Sequence, residues 1–144
     1  MSDANKIQHG GDHYKSSVQH WDVMADFFGI DYHIGCATKY LSRWQKKGTP
    51  LLDLQKSIHF TDKAIEVVLG NPAIAANNEQ FVPRDVIERF VIANDLEMHE
   101  RLALLALWRW DTVEDLMQAK VHIQAIIREF EHAQSGPSEG KRAD

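Results

Sequence analysis

Residues 35–60 read GCATKYLSRWQKKGTPLLDLQKSIHF, which is the pattern of a helix, a break and a second helix. The break is Gly-Thr-Pro at 48–50, because glycine takes positive φ at little cost and proline cannot continue a helix interior. The stretch does not show the alternation of apolar and polar residues that is typical of a strand. The stretch predicts an all-α fold.

Basic side chains recur along the first of these helices. They lie at i, i+4, i+7 and i+8, and this spacing places them on one helix face as a cationic strip. Tyr40 is expected to point away from that face. The members of the cationic strip are Lys39, Arg43, Lys46 and Lys47. On the second helix, a shared face is expected for Asp53, Lys56 and Phe60.

The chain has 144 residues, enough for one sizeable core or for two small helical units that share one. Its formal net charge of −5 argues against binding nucleic acid through bulk charge. Residues 1–70 hold eight Lys and Arg against eight Asp and Glu, whereas residues 71–144 hold eight against thirteen. A phosphate-bearing partner is therefore expected on the first half.

Cys36 is the single cysteine, so no internal disulfide can form, and a lone thiol suits a reducing compartment. No apolar run approaches the ~18 residues of a membrane span, and the polar N-terminal residues lack the apolar core of a signal peptide. The sequence therefore predicts a cytoplasmic protein without a membrane partner.

Helical periodicity divides the chain into two groups of three helices. The first unit covers residues 13–70, and the second unit covers residues 84–134. A linker is predicted at 71–83, and the polar ends at 1–12 and 135–144 are predicted to be mobile. The predicted helices span 19–28, 33–47, 51–69, 84–93, 96–110 and 112–133.

The two units resemble each other in sequence, which is typical of a degenerate tandem repeat. The offset is 66 residues where His33 matches His99, and 62 residues where Leu54 matches Leu116. Other matches pair Asp22-Val23-Met24 with Asp85-Val86-Ile87, Ile30 with Leu96, Arg43-Trp44 with Arg109-Trp110, and Asp53 with Asp115. Leu105 replaces Lys39, so the cationic strip is confined to the first unit. Residues that occur in both units are therefore assigned to core packing. Residues that occur only in the first unit are assigned to chemistry.

Motifs in the first unit follow one another in a recognisable order. They are His-Tyr at 13–14, Asp-Val at 22–23, Gly-x-Ala-x-Lys-Tyr-Leu-x-Arg at 35–43, Lys-Lys-Gly at 46–48 and Asp-Leu-x-Lys at 53–56. This pattern resembles a small phage-encoded family whose members are labelled nucleotide kinase-like. The resemblance implies a nucleotide-handling protein of the host cell cytoplasm, with a deoxynucleoside mono- or triphosphate as its ligand.

The same resemblance implies which residues form the site. Catalytic roles fall on Arg43, Lys39 and Asp53. Nucleotide and phosphate contacts fall on His13, Tyr14, Lys39, Tyr40, Arg43, Lys47 and Lys56. Cys36 stands where the family usually has Asn, so an amide that could contact a base or a phosphate is replaced by a thiol.

Phosphoryl transfer requires positioned positive charge more than covalent chemistry from the protein, and the cationic strip supplies it. No Gly-x-x-x-x-Gly-Lys-[Ser/Thr] motif is present, which excludes a standard P-loop kinase. Asp53 has four alternative roles: capping its helix, pairing with Lys56, orienting a ribose hydroxyl, or binding Mg²⁺ with the phosphates. No protein-bound cofactor is implied by these residues. Whether Mg²⁺ binds together with the nucleotide is left open.

The segment His-Gly-Gly-Asp-His at 9–13 invites a metal-site interpretation, but two glycines disfavour fixed ligand geometry and no cysteine joins it. We expect no protein-bound metal there. His13-Tyr14 is instead expected to fold over the basic helix, offering an imidazole to a phosphate and a ring to a base.

The sequence therefore predicts an all-α helical bundle of two related three-helix units. The apolar run LALLALWRW at 102–110 is expected in the core or in the interface of a homo-oligomer. The expected activity is nucleoside monophosphate kinase-like phosphotransfer. Two alternatives stay open: a non-catalytic protein that sequesters a nucleotide or signal molecule, and an inhibitor that binds nucleic acid or a host protein.

Overall fold

The computed structural model describes residues 18–26, 31–46, 48–76 and 81–143, and these residues form helices without any strand. The all-α prediction is confirmed. The helices are α1 (His20–Asp26), α2 (Tyr32–Arg43), α3 (Pro50–Gly70), α4 (Ala73–Ala76), α5 (Arg84–Ala93), α6 (Met98–Trp108) and α7 (Val113–Ala143).

Most helix boundaries agree with the sequence to within two or three residues, because caps and prolines mark them. Asp31 caps α2, its Oδ2 accepting a hydrogen bond from the His33 amide at 2.8 Å. Pro50 occupies the first turn of α3, where a missing amide hydrogen costs nothing. Three differences appear: α2 ends at Arg43 rather than 47, α4 lies inside the predicted linker, and the helical backbone of α7 continues to Ala143. The mobility predicted for the two ends stays a prediction.

Four helices form the centre of the bundle. Helix α2 packs against α3, α6 packs against α7, and the two pairs meet where α3 faces α7 and α2 faces α6. Helix α1 packs against α2, and α5 packs against α6. Burying each large apolar side chain in this core contributes roughly 1.5–3 kcal/mol. Its largest fully buried members include Trp108, Phe90, Ile34, Leu41, Leu54, Ile87, Leu104, Leu107, Leu116 and Ile123.

Burial repeats between the two units with the offsets that the sequence predicted. Helices α2 and α6 correspond at 66 residues, and helices α3 and α7 correspond at 62. This shared burial supports the repeat, which stays a prediction. The pairs that are buried in both units are Ala37 and Ala103, Leu41 and Leu107, Trp44 and Trp110, Leu54 and Leu116, Ser57 and Ala119, Thr61 and Ile123, and Ala64 and Ile126.

The first helices of the two units correspond less exactly. Val23 in α1 and Ile87 in α5 are the buried counterparts, with exposed fractions of 2% and 0%. The sequence match had paired Val23 with Val86, one position earlier.

The apolar run at 102–110 lies inside the bundle. Trp108 is its largest member, and its ring lies 5.2 Å from the ring of Phe90 in α5, centroid to centroid. Burial in the core is therefore confirmed, whereas the homo-oligomer stays a prediction. The buried residues of the run are Ala103, Leu104, Leu107, Trp108 and Trp110.

Polar contacts also join the two units. Lys120 in α7 forms an ion pair with Asp62 in α3, with Nζ and Oδ1 2.8 Å apart. Asn94, after α5, donates from Nδ2 to the carbonyl of Val18 at 2.9 Å. No helix among the described residues is long and apolar enough to cross a bilayer.

Candidate functional site

The exposed sides of α2 and α3 bring basic and aromatic side chains together in the first unit. Tyr40 stacks on Phe60, with ring centroids 5.9 Å apart and ring planes at 8°. Lys39 and Arg43 flank Tyr40 on α2, and Lys56 precedes Phe60 by one turn on α3. We call these five residues the basic–aromatic patch.

Three cations surround the same ring in this patch. Lys56 Nζ and Arg43 Cζ each lie 5.2 Å from the centroid of Tyr40, and Lys39 Nζ lies 5.8 Å away. The expectation that Tyr40 points away from the basic face was wrong, because its ring turns toward Phe60 of α3 and so lies among the cations. The face of an aromatic ring attracts cations. This attraction offsets part of the repulsion between the three positive charges.

Tyr32 and His33, at the start of α2, extend the aromatic surface. His33 stacks on Phe60 at 6.4 Å, and the Tyr32 ring meets Phe60 edge-on at 6.3 Å. Tyr32 is 71% exposed, so most of its ring is open to a ligand. A hydrogen bond with Cys36, one turn along, raises the pKa of the Tyr32 hydroxyl. Cys36 thus contacts this aromatic surface.

The cationic strip does not stay together as predicted. Lys46 lies beyond the end of α2, and its Nζ donates to Oδ1 of Asn94 at 2.7 Å. Burial lowers the pKa of Lys46, and nearby Asp95 opposes that change. Lys46 therefore joins the first unit to the turn after α5, instead of facing a ligand with Lys39 and Arg43.

Asp53 lies inside the molecule, with an exposed fraction of 0%. It shares a helix face with Lys56 and Phe60 as expected from their spacing, but both of those side chains are partly exposed, whereas Asp53 is not. Its counterpart Asp115 caps α7, with Oδ2 accepting from the amides of Asp111 and Thr112 at 2.8 and 3.1 Å. This burial favours the structural alternatives for Asp53, and its catalytic role stays a prediction.

His20 belongs to the site and was missed by the sequence reasoning. Its Nε2 lies 2.8 Å from the hydroxyl of Thr38, and its ring stacks on Trp108 at 5.9 Å. Burial, and then the charges of Lys39 and Arg43, lower the pKa of His20 to about 3. No local pattern marks this residue, since its partners lie on α2 and α6.

The proton of His20 can be assigned from its neighbours. The Thr38 hydroxyl directs its single hydrogen to the carbonyls of Ile34 and Gly35, at 2.9 and 3.1 Å. With its hydrogen directed to these carbonyls, the Thr38 oxygen accepts from His20, an arrangement that favours the imidazole hydrogen on Nε2. A neutral imidazole thus stands beside the basic side chains of α2.

Three predicted site residues, His13, Tyr14 and Lys47, lie outside the described residues. So does the candidate metal segment at 9–13. Among the residues that are described, no group of three or more His, Cys, Asp or Glu side chains is arranged to hold a metal ion.

The second unit lacks the basic–aromatic patch. Leu105 and Ala106 stand where Lys39 and Tyr40 do, and Gln118 replaces Lys56. His122 replaces Phe60, and its ring lies 5.4 Å from the ring of His99, the counterpart of His33. The pair His99–His122 therefore occupies the same place as His33–Phe60, which shows that scaffold positions persist while the chemistry differs.

Comparison with known proteins gives one match. A family model described as a protein of unknown function (DUF3310) matches residues 3–62, which include the motifs quoted from the first unit. No curated protein and no solved structure matches the chain. The matching family carries no assigned activity, so the nucleotide kinase-like resemblance gains no support from it.

Proposed function

We propose that the first unit binds a nucleotide at the basic–aromatic patch. The observation that supports this proposal is the placing of three cations within 6 Å of the Tyr40 ring. Among the described residues, neither Lys39 nor Lys56 forms an ion pair with a carboxylate. The positive charge of these two lysines, close to Arg43, favours an anionic ligand, since such a ligand relieves the mutual repulsion.

The two ends of a nucleotide suit the two parts of the patch. Arg43 can hold phosphate oxygens in a bidentate arrangement, while Lys39 and Lys56 act as point charges. The exposed ring of Tyr32 offers a surface on which a base can stack, an interaction worth roughly 1–3 kcal/mol. A simple anion such as sulfate would use only the first of these parts, so the aromatic surface favours a nucleotide.

The finer proposal is transfer of phosphate between nucleotides, in a phage protein acting in the host cytoplasm. Lys39 and Arg43 would stabilise negative charge on the moving phosphoryl group, and Mg²⁺ would arrive with the nucleotide. This part rests on the sequence resemblance. Asp53 could act on a nucleotide only after leaving its buried position.

A non-catalytic nucleotide-binding protein is the second candidate function. The burial of Asp53 favours it, because no other acidic residue was assigned a catalytic role. The patch needs no acid or base to hold an anion. Sequestering a nucleotide or a signal molecule would then be the outcome of binding alone.

Titration calorimetry with deoxynucleoside mono- and triphosphates, combined with assays for a diphosphate product, tests both candidates. Arg43→Ala and Lys56→Ala are each expected to weaken nucleotide binding about tenfold or more, as expected for loss of a charge-assisted contact. Lys63→Ala is the matched control, because Lys63 lies on α3 but pairs with Glu66 at 3.3 Å. Unchanged affinity in both patch variants would contradict nucleotide binding here, and binding without product would favour the second candidate.

A further inference from the structure

A cavity of about 560 Å³ lies where the two units meet, away from the basic–aromatic patch. The turn between α2 and α3 forms one wall with Trp44 and Pro50, and the start of α6 forms another with Met98. Helix α7 closes it with Ile126 and Phe130. This volume falls within the range of small-molecule sites, which is roughly 300–1,000 Å³.

The polar side chains of the cavity are mostly acidic. Glu97 and Glu100 reach it from α6, and Glu129 reaches it from α7. No lysine or arginine is among its lining residues. His99 also lines the cavity, and its Nε2 lies 3.3 Å from Oε1 of Glu129. The cavity therefore combines apolar walls with three acidic residues, one of which contacts a histidine, and it differs in charge from the basic–aromatic patch.

Glu100 is the most informative of these residues, because it is only 3% exposed. Its Oε1 accepts from the amide of Glu97 at 3.4 Å, whereas its Oε2 is buried without a hydrogen-bond partner of good geometry. Burial raises the pKa of Glu100, and hydrogen bonding from the Glu97 amide and from the indole of Trp44 opposes that change. The indole nitrogen of Trp44 nevertheless has no hydrogen-bond partner of good geometry. Buried polar atoms of this kind normally have partners, so a ligand is a natural candidate.

The backbone amides at the start of α6 do not make the cavity a binding site for an anion. The Glu97 amide, at this helix terminus, already donates to Glu100 within the chain. An anion would in addition meet three carboxylates at close range. A cation would meet the same three groups as attractive partners, and the ring of Trp44 adds a face suited to positive charge.

We propose that this cavity binds a small organic cation: an amine or guanidinium group carried on an apolar or aromatic body. The charged group lies toward Glu100 and Glu129, and the apolar body lies against the wall that Trp44 and Phe130 form. These two rings meet edge-on with centroids 5.7 Å apart and so form a preformed aromatic wall. The site is separate from nucleotide binding and does not depend on it.

Titration calorimetry with three probes of one shape tests the proposal: 2-phenylethylamine, the neutral 2-phenylethanol and the anionic phenylacetate. The amine is expected to bind saturably, the alcohol at least five times more weakly, and the acid not at all. Equal affinity for the amine and the alcohol, or no saturable binding of the amine, would overturn the proposal.

Two variants locate the binding. Glu129→Gln removes an exposed charge without touching the core and is expected to weaken amine binding about threefold, and the nearly isosteric Glu100→Gln about tenfold or more. Glu131→Gln is the matched control, since it removes the same charge from α7 at a position that does not line the cavity. Losses of equal size in Glu129→Gln and Glu131→Gln would overturn the assignment to this cavity. The Glu129→Gln comparison stands even if Glu100→Gln does not fold.

Discussion

At the scale of single residues, His20 has the clearest energetic consequence. Its folded pKa of about 3 lies below the ordinary value of 6.5, because burial and neighbouring cations disfavour the imidazolium. Between these pH values the unfolded chain binds more protons than the folded one. The contribution of His20 to stability is therefore complete above pH 6.5 and falls as the pH decreases toward 3.

His20→Gln is expected to reduce this pH dependence. The wild-type protein should lose about 1.4 kcal/mol more than the variant in the free energy of unfolding between pH 7.5 and 5.5. Denaturant titrations at the two pH values measure the difference. His59→Gln, which changes an exposed histidine, should retain the wild-type dependence. A variant with the full wild-type pH dependence would show that His20 is not the group responsible.

The sequence identified part of this site and missed the rest for physical reasons. Lys39, Arg43 and Lys56 were predicted, because helical spacing and a sequence resemblance both point to them. Tyr40 and Lys46 were misplaced, because Tyr40 stacks on Phe60 of α3 and Lys46 donates to Asn94, 48 residues away. Tertiary contacts of this kind leave no local pattern in the sequence.

At the scale of helices, the ends are set by caps that can be read in the sequence. Asp115 accepts hydrogen bonds from two backbone amides at the start of α7, and it stands in the first turn, where negative charge is favoured. Asp31 does the same for α2. Such contacts are local, and therefore most predicted boundaries agree with the structure.

Asp115→Ala is expected to destabilise the protein by roughly 0.5–2 kcal/mol, because two amides lose their acceptor at the start of α7. Chemical denaturation followed by far-UV circular dichroism measures the loss. Asp111→Ala is the control, since it removes the same charge from an exposed side chain four residues earlier. Equal losses in the two variants would point to net charge rather than capping.

At the scale of the whole molecule, the two units share one core. Leu54 in α3 and Leu116 in α7 are equivalent in the repeat, and both have an exposed fraction of 0%. Because α3 packs against α7, a cavity that a substitution creates in one unit lies next to a helix of the other unit. We therefore expect one cooperative unfolding transition rather than two.

Leu54→Ala and Leu116→Ala are each expected to cost about 2–5 kcal/mol, and to shift the same single transition. Circular dichroism and tryptophan fluorescence, recorded along one denaturant series, should give coincident curves. Leu52→Ala, at a position that is 48% exposed, should have a much smaller effect. Separate transitions for the two variants would show that the units unfold independently.

The architecture was largely predictable at this scale, whereas the cavity was not. Repeated buried positions such as Leu41 and Leu107 follow from helical periodicity and from the internal repeat. The cavity depends on Trp44 from one unit meeting Glu100 and Phe130 from the other. That meeting depends on how the helix pairs pack together, and periodicity does not determine it.

The meeting of α2 with α6 and of α3 with α7 has a consequence for how this protein can vary. In a symmetric dimer of identical subunits, every substitution appears twice, so a new charge beside the contact repels its own copy. Here the equivalent surfaces belong to one chain, and Lys39 faces the solvent where its counterpart is Leu105. One half can acquire a cationic surface while the other half contributes acidic residues to the cavity between the units. Because both units belong to one chain, a substitution in one of them does not appear in the other.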